Sequence, residues 1–327
     1  MAPAAGARKH NIKEALLFLA ALGFMMALPM WLPNRFYIRL VNEIMIYGLL
    51  AMSLDVLLGY TGLLSFMHTS YLGIGAYITG LFLMHVAPGS LWLAILVAVA
   101  ATMLVAWPVG WVQVRTGGLP FALLTLAFGM MYFTVAWKWY SLTGGDDGLM
   151  GMPRPDITFF GLTLASSGDS HAMYYFTLIV VAVCLLLTWR VIHSPLGAVL
   201  EAIRENEERA AFIGYDVRRY KLLGWMIACG LAAVSGSLFI LYKGYVGPAT
   251  MDAFAGAAVL MMVLLGGMGS LWGPFVGAAI FIFMQDYIST MTENWEIFVG
   301  AVVILLVLFM PKGVAGLGGL LSRGQKA

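Results

Sequence analysis

Few side chains in this sequence can do chemistry, and they gather in three places. Asp55 and His68 each stand in a long apolar run, with Ser65 close by. An ionisable group in such a run costs enough to be a functional suspect. Two readings stand for the pair: a polar cluster beside an internal path, or a clamp between two helices. The second place is the charged segment from Ser194 to Asp216, where Glu201, Arg204, Glu205, Glu208 and Arg209 alternate with Leu196, Val199, Leu200 and Ile203. The third is a set of glycines, Gly266, Gly267, Gly269, Gly273 and Gly277, joined by the pairs Gly59/Gly62 and Gly73/Gly75. Such residues permit either close helix contact or non-helical backbone lining a cavity. Lys138, Asp286, Glu293 and Glu296 sit near the ends of apolar runs, where a charged head can reach water.

The usual catalytic patterns are missing. No Gly-x-x-x-x-Gly-Lys-[Ser/Thr] stretch offers a phosphate cradle, and no helical His-Glu-x-x-His or Gly-x-Ser-x-Gly elbow occurs. His10, His85, His171 and His193 have no spacing that suggests a metal site. The expectation is a chain without catalytic residues, metal or cofactor of its own. Cys184 and Cys229 both fall in apolar runs and read as small buried hydrophobes.

These groups must be positioned by elements that face lipid. Of 327 residues, 61% are hydrophobic and 10% charged, against about 45–50% and about 25% in ordinary soluble domains. Mean hydropathy is +0.90. Soluble enzymes drop out, and a net charge of +2 is too small for a nucleic-acid binder. A helix needs about 20 apolar residues to cross the hydrocarbon. Stretches of that kind run near Ala15–Leu32, Ile44–Leu58, Phe66–Val86, Leu91–Val112, Leu119–Trp139, Met173–Ile192, Leu222–Tyr242, Phe254–Leu265, Gly273–Ile288 and Ile297–Met310. The expectation is an all-α, polytopic single domain over 1–327 with about ten membrane segments. The glycine-interrupted region from 254 to 290 reads either as two spans or as one broken one.

Positive charge marks the cytoplasmic side. Arg204, Arg209, Arg218, Arg219 and Lys221 lie in the loop at about 193–221, Lys312, Arg323 and Lys326 in the tail, and Arg8, Lys9 and Lys13 at the start. Both termini and that loop are therefore expected inside. The loop at about 141–172 then falls outside, and its four aspartates against Arg154 give a net charge of −3. Arg35 and Arg39 are the misfit, since this topology puts them outside.

Leu196, Val199, Leu200 and Ile203 repeat at helical spacing, so the segment at about 196–213 reads as one amphipathic surface helix, with Glu205 and Arg209 as an i,i+4 pair and Gly214 as a stop. It is either a solvated connector or a rigid knob for a cytoplasmic partner; its length exceeds what an antiparallel helix pair needs.

Several stretches in order resemble the permease subunits of bacterial ABC importers for branched-chain amino acids, in particular the LivM-like member of the permease pair: Gly59 through Tyr77, Thr143 through Leu149, Ala202 through Glu208 with Gly214-Tyr-Asp and Tyr220-Lys-Leu, and Leu264 through Pro274. The resemblance covers nearly the whole chain. It implies a bacterial inner-membrane permease that pairs with a LivH-like second permease, two ATP-binding subunits carrying ATP and magnesium, and an external substrate-binding protein. It also implies that the 196–213 helix is the coupling helix, with Glu201, Arg204, Glu205, Glu208, Arg209, Ala210, Ala211 and Gly214 meeting the ATPase. Glu208 through Gly214 is similar to the Glu-Ala-Ala signature of importer permeases, with one extra residue before the alanine pair. Met67 and Asp55 depart from the family pattern, in which a small and an uncharged polar residue are usual. Asp55, Ser65, His68, Gly266, Gly267 and Gly269 are the translocation-path candidates. The substrate expectation is an aliphatic amino acid; urea, amides and small carboxylates are carried by similar permeases. The rival is an ion-coupled secondary transporter in which Asp55 and Asp286 bind the coupling ion.

Overall fold

In a computed structural model of the chain, residues 18, 20–31, 34–153, 156–159, 162–166, 169–292, 294–309 and 313 are described. The basic residues of both termini, His10, Arg154 and Glu293 lie outside them. Helix α1 (Ala20–Trp31) precedes α2 (Arg35–Asp55), which passes into a π-helical turn at Val56–Thr61. Then come α3 (Thr69–His85), α4 (Leu91–Gln113), α5 (Gly118–Lys138) and the short α6 (Tyr140–Thr143). Helix α7 (Ser170–Ile192) leads to α8 (Pro195–Glu205) and α9 (Glu207–Phe212), and from there to α10 (Val217–Lys243). The chain continues through α11 (Ala253–Gly266), α12 (Gly273–Ser289) and α13 (Trp295–Phe309).

Each apolar stretch read from the sequence falls on a helix, with shifted ends. The largest shift is at α2, which starts at Arg35 rather than Ile44. Asn34 caps it by accepting the Phe36 N–H at 3.1 Å, and Lys243 of α10 answers Glu43 at 2.9 Å. Among the described residues, five helices are long and apolar enough to cross a membrane: α2 with its π turn, α4, α5, α7 and α10. Helices α1, α11 and α13 are shorter, and α3 and α12 have 17 residues each.

Burial separates centre from periphery. The apolar windows of α2 and α10 are 89% and 72% buried, whereas α4, α5 and α7 run from 28% to 44%. The central helices approach through small residues, as membrane helices do when packing and short hydrogen bonds supply the attraction. Thr79 of α3 donates to Ser237 of α10 at 2.7 Å, and Ser235 of α10 donates to the Ile46 carbonyl of α2 at 2.8 Å. Helices α11 and α12 pack closely against each other and against α2, so the 254–290 region is a helical hairpin.

The helical reading needs one amendment. Two small antiparallel pairs occur: β1 (Leu149–Met150) with β4 (Tyr245–Val246), and β2 (Asp156–Phe159) with β3 (Leu162–Ser166). The first ties the 141–172 loop to the end of α10. Both lie in connections between helices, where strand pairing satisfies backbone groups that no helix provides for.

Candidate functional site

One end of the helix bundle gathers most of the candidate residues. Asp55, 1% exposed, closes α2 and accepts the Gly269 N–H with both carboxylate oxygens, at 2.9 and 3.1 Å. Gly269 sits at φ +73° in the turn between α11 and α12, a conformation other residues rarely adopt. Its amide is therefore free of any helix and turned toward the carboxylate. Next to this contact, Arg204 of α8 donates to the Gly59 carbonyl, which the π turn leaves without a regular helical partner, and its side chain packs against Gly62. Arg204 is also the cationic neighbour of Asp55. Arg204, expected to point at a partner, is exposed as expected, yet its guanidinium reaches back to the α2 terminus beside the Gly269 turn.

The 196–213 segment is two helices, not one. Asn206 breaks it at φ −161°, ψ 104°, ending α8 and capping α9 by accepting the Arg209 N–H at 2.8 Å. An asparagine side chain competes with helical hydrogen bonding and favours caps, and Glu207 and Glu208 then suit the first turn of a new helix. Val199, Leu200 and Ile203 are buried as their stripe requires, while Glu201, Glu205, Glu208, Arg209, Ala211 and Gly214 are exposed and Ala210 is buried. Past the break, Phe212 and Ile213 stand 90% and 72% exposed at the tip of α9. Neither stands out in the sequence, where an apolar pair before Gly214 reads as an ordinary helix end. Lys221, buried at the start of α10, pairs with Glu207 at 2.5 Å. Both lie against Gly117, which precedes α5; Gly118 beside it has φ +59°.

His68 does not join Asp55. Its Nε2 meets Ser53 Oγ at 3.0 Å. Ser53 gives its own proton to the Leu50 carbonyl at 2.6 Å, so the imidazole Nε2 is the donor in this pair. His68 therefore clamps the start of α3 to α2, and Asp55 clamps α2 to the α11–α12 turn. Asp286 is on α12 near its far end, roughly 20 Å along the axis from Gly273, and so is remote from Asp55. The glycines divide the same way: Gly267 and Gly269 take left-handed backbone, while Gly73 meets Met251 and Gly277 meets the Met262 carbonyl across helix contacts. Met67 is accommodated by Gly129 of α5, where any side chain would collide with it.

Ser65 lines a crevice deeper in the bundle together with Ser70, Tyr71, Gln113, Thr125, Gly129, Tyr132 and Trp225. It is tight, with no room for a water-sized guest. Among the described residues, the hydroxyls of Ser65 and Ser70 and both amide atoms of Gln113 are buried without a hydrogen-bond partner. Each group left so costs about 1–3 kcal/mol. Trp225, by contrast, gives its indole N–H to the Ala106 carbonyl at 3.1 Å and packs edge-on against Tyr71 and Phe121. Gln113, Ser70 and Tyr132 escaped sequence reading because no charge or motif marks them.

No solved structure matches this chain. Among proteins of known role, it is 29% identical over 326 residues to the high-affinity branched-chain amino acid transport system permease protein LivM of Escherichia coli, covering 93% of this chain and 75% of that one. To LivH of Salmonella typhimurium it is 26% identical, covering 83% and 91%, and to BraD of Pseudomonas aeruginosa 26%, covering 85% and 95%. Residues 36–308 match the family described as branched-chain amino acid transport system, permease component. With that match over most of its length, this multi-pass membrane chain belongs to the branched-chain amino acid transport permease family.

Proposed function

We propose that this permease is one half of the membrane pore of an ATP-driven importer for branched-chain amino acids. It works with a LivH-like second permease, two ATP-binding subunits and an external substrate-binding protein in the bacterial inner membrane. About ten segments cross the bilayer, α1 to α5, α7 and α10 to α13, with both termini and the α8–α9 pair in the cytoplasm. This chain performs no covalent chemistry; ATP and magnesium belong to the partner subunits.

The single observation that carries the coupling role is Arg204. An exposed connector has no need to hold the C-terminus of a buried helix. Here a guanidinium on α8 grips the Gly59 carbonyl beside Asp55 and Gly269, so a push on α8 reaches α2, α11 and α12 together. Through α9, the Glu207–Lys221 pair lies beside Gly117, the residue just before α5. ATP-driven closure of the partner subunits, gripping Phe212 and Ile213, would move both lines at once.

The test is Arg204→Met, which keeps the alkyl stem and removes the donor. In the complete transporter reconstituted in vesicles, ATP-driven leucine uptake should fall about tenfold or more, the worth of one charged hydrogen bond, while ATP hydrolysis continues. Uptake at the unsubstituted rate would return α8 to the status of a connector.

A further inference from the structure

The crevice lined by Ser65, Ser70 and Gln113 has a polarity pattern that a packed core does not explain. A buried polar group is ordinarily satisfied by protein or by an enclosed water. Here neither holds: the groups have no partner among the described residues, and the space is too tight for water. Two neighbouring polar groups are spent. Thr125 gives its proton to the Ala122 carbonyl at 2.6 Å and accepts the Phe66 N–H at 3.1 Å, and the Trp225 indole is bonded to Ala106. What remains is three hydroxyls, of Ser65, Ser70 and Tyr132, and the Gln113 carboxamide, each able both to donate and to accept, beside Tyr71, Trp225 and Met67.

Resting on the permease reading above, we infer that this crevice is the closed form of a transient binding station for a zwitterionic aliphatic amino acid. Three features select that class. No ionised side chain lines the crevice, so a solute with net charge would leave water with nothing to balance it. A zwitterion needs acceptors for its ammonium and donors for its carboxylate in one place, which a carboxamide and hydroxyls lining one crevice supply. The aromatic and methionine walls take an apolar body; urea has none to offer, and a dicarboxylate carries charge with no counter-ion to meet. Opening requires the α5 wall to move. That helix is the least buried of the long ones, and Gly117, the residue just before it, lies beside the Glu207–Lys221 pair of the α9–α10 region, so the same motion that works the gate would uncover the unpaired groups.

Two variants of the complete transporter test this. Gln113→Leu, similar in shape but without donor or acceptor, should lower leucine uptake about tenfold with ATP hydrolysis within about twofold of the parent; undiminished uptake overturns the station. Ser65→Cys supplies an independent readout. The native thiols Cys184 and Cys229 are buried and unbonded, so the parent chain should resist a small methanethiosulfonate reagent. The Ser65→Cys chain should be labelled during ATP turnover, and saturating leucine should slow that labelling at least fivefold while equal urea does not. A Ser65→Cys chain that stays unlabelled while the complex imports leucine overturns the station and leaves the permease reading standing. Protection by urea and not by leucine overturns the amino-acid class. If the unsubstituted complex shows no ATP-driven leucine uptake, the permease reading itself fails.

Discussion

Lys221 is 2% exposed, and its ammonium has one carboxylate partner, Glu207, which is about half exposed. Removing one member of a fully buried pair costs about 3–5 kcal/mol because the survivor keeps an unpaired charge. With Glu207 half in water, Glu207→Ala should cost about 2 kcal/mol, read as a lower unfolding midpoint in detergent. Lys221→Met added to Glu207→Ala should recover most of that loss. A double variant as unstable as the single one would mean that the pair acts through packing and not through the stranded charge. Asp55 belongs to the other case: its carboxylate serves the Gly269 amide directly. Asp55→Asn keeps one acceptor there and should assemble, whereas Asp55→Ala leaves the amide unpaired and should lower the midpoint further, by about 1–3 kcal/mol.

Helix α9 owes its separate existence to Asn206. Asn206→Ala removes a cap worth about 1 kcal/mol and lets α8 run on into α9, which swings Phe212 and Ile213 around the helix axis. Uptake should fall while membrane insertion persists; normal transport would mean that the position of the apolar tip is immaterial. Replacing Phe212 and Ile213 together by serine should leave the unfolding midpoint nearly unchanged, since both are already exposed, yet reduce copurification of the ATP-binding subunits at least severalfold. The helices themselves were legible in the sequence because lipid demands long apolar runs with internally satisfied backbones, and the buried stripe of α8 because its period is helical. The break at Asn206 was hidden by helix-forming residues on both sides, although an asparagine followed by two glutamates is a capping signal. The bond from Arg204 to Gly59 was illegible for a different reason: its partner is a backbone carbonyl in a π turn, and neither the carbonyl nor the turn has a residue signature. The crevice groups were hidden similarly, since a serine or glutamine in an apolar run reads as packing until its neighbours are known to be spent.

At the scale of the whole molecule, sidedness follows from α10 as a ruler. Its 27 residues rise about 40 Å, more than the roughly 30 Å of hydrocarbon. Just past its C-terminus, Tyr245 and Val246 pair with Leu149 and Met150, which follow Asp146 and Asp147 closely in sequence. Beside its N-terminus lie α9, Arg218 and Arg219, with Arg219 held by Asp216 at 2.8 Å. The acidic loop and the basic loop are therefore fixed at opposite ends of one membrane-length rod. Whichever way the chain inserts, they must face different compartments, and the proposed topology puts the arginine-rich end in the cytoplasm. In intact cells, an impermeant thiol reagent should label Asp147→Cys directly and Arg218→Cys only after the membrane is opened, with both native cysteines silent because they are buried. Labelling of both from the outside would break the ruler argument at its root, because α10 could not then span the bilayer. The reverse pattern, with Arg218→Cys labelled directly and Asp147→Cys only after opening, would keep the span but invert the chain, leaving α9 with no access to an ATP-driven partner.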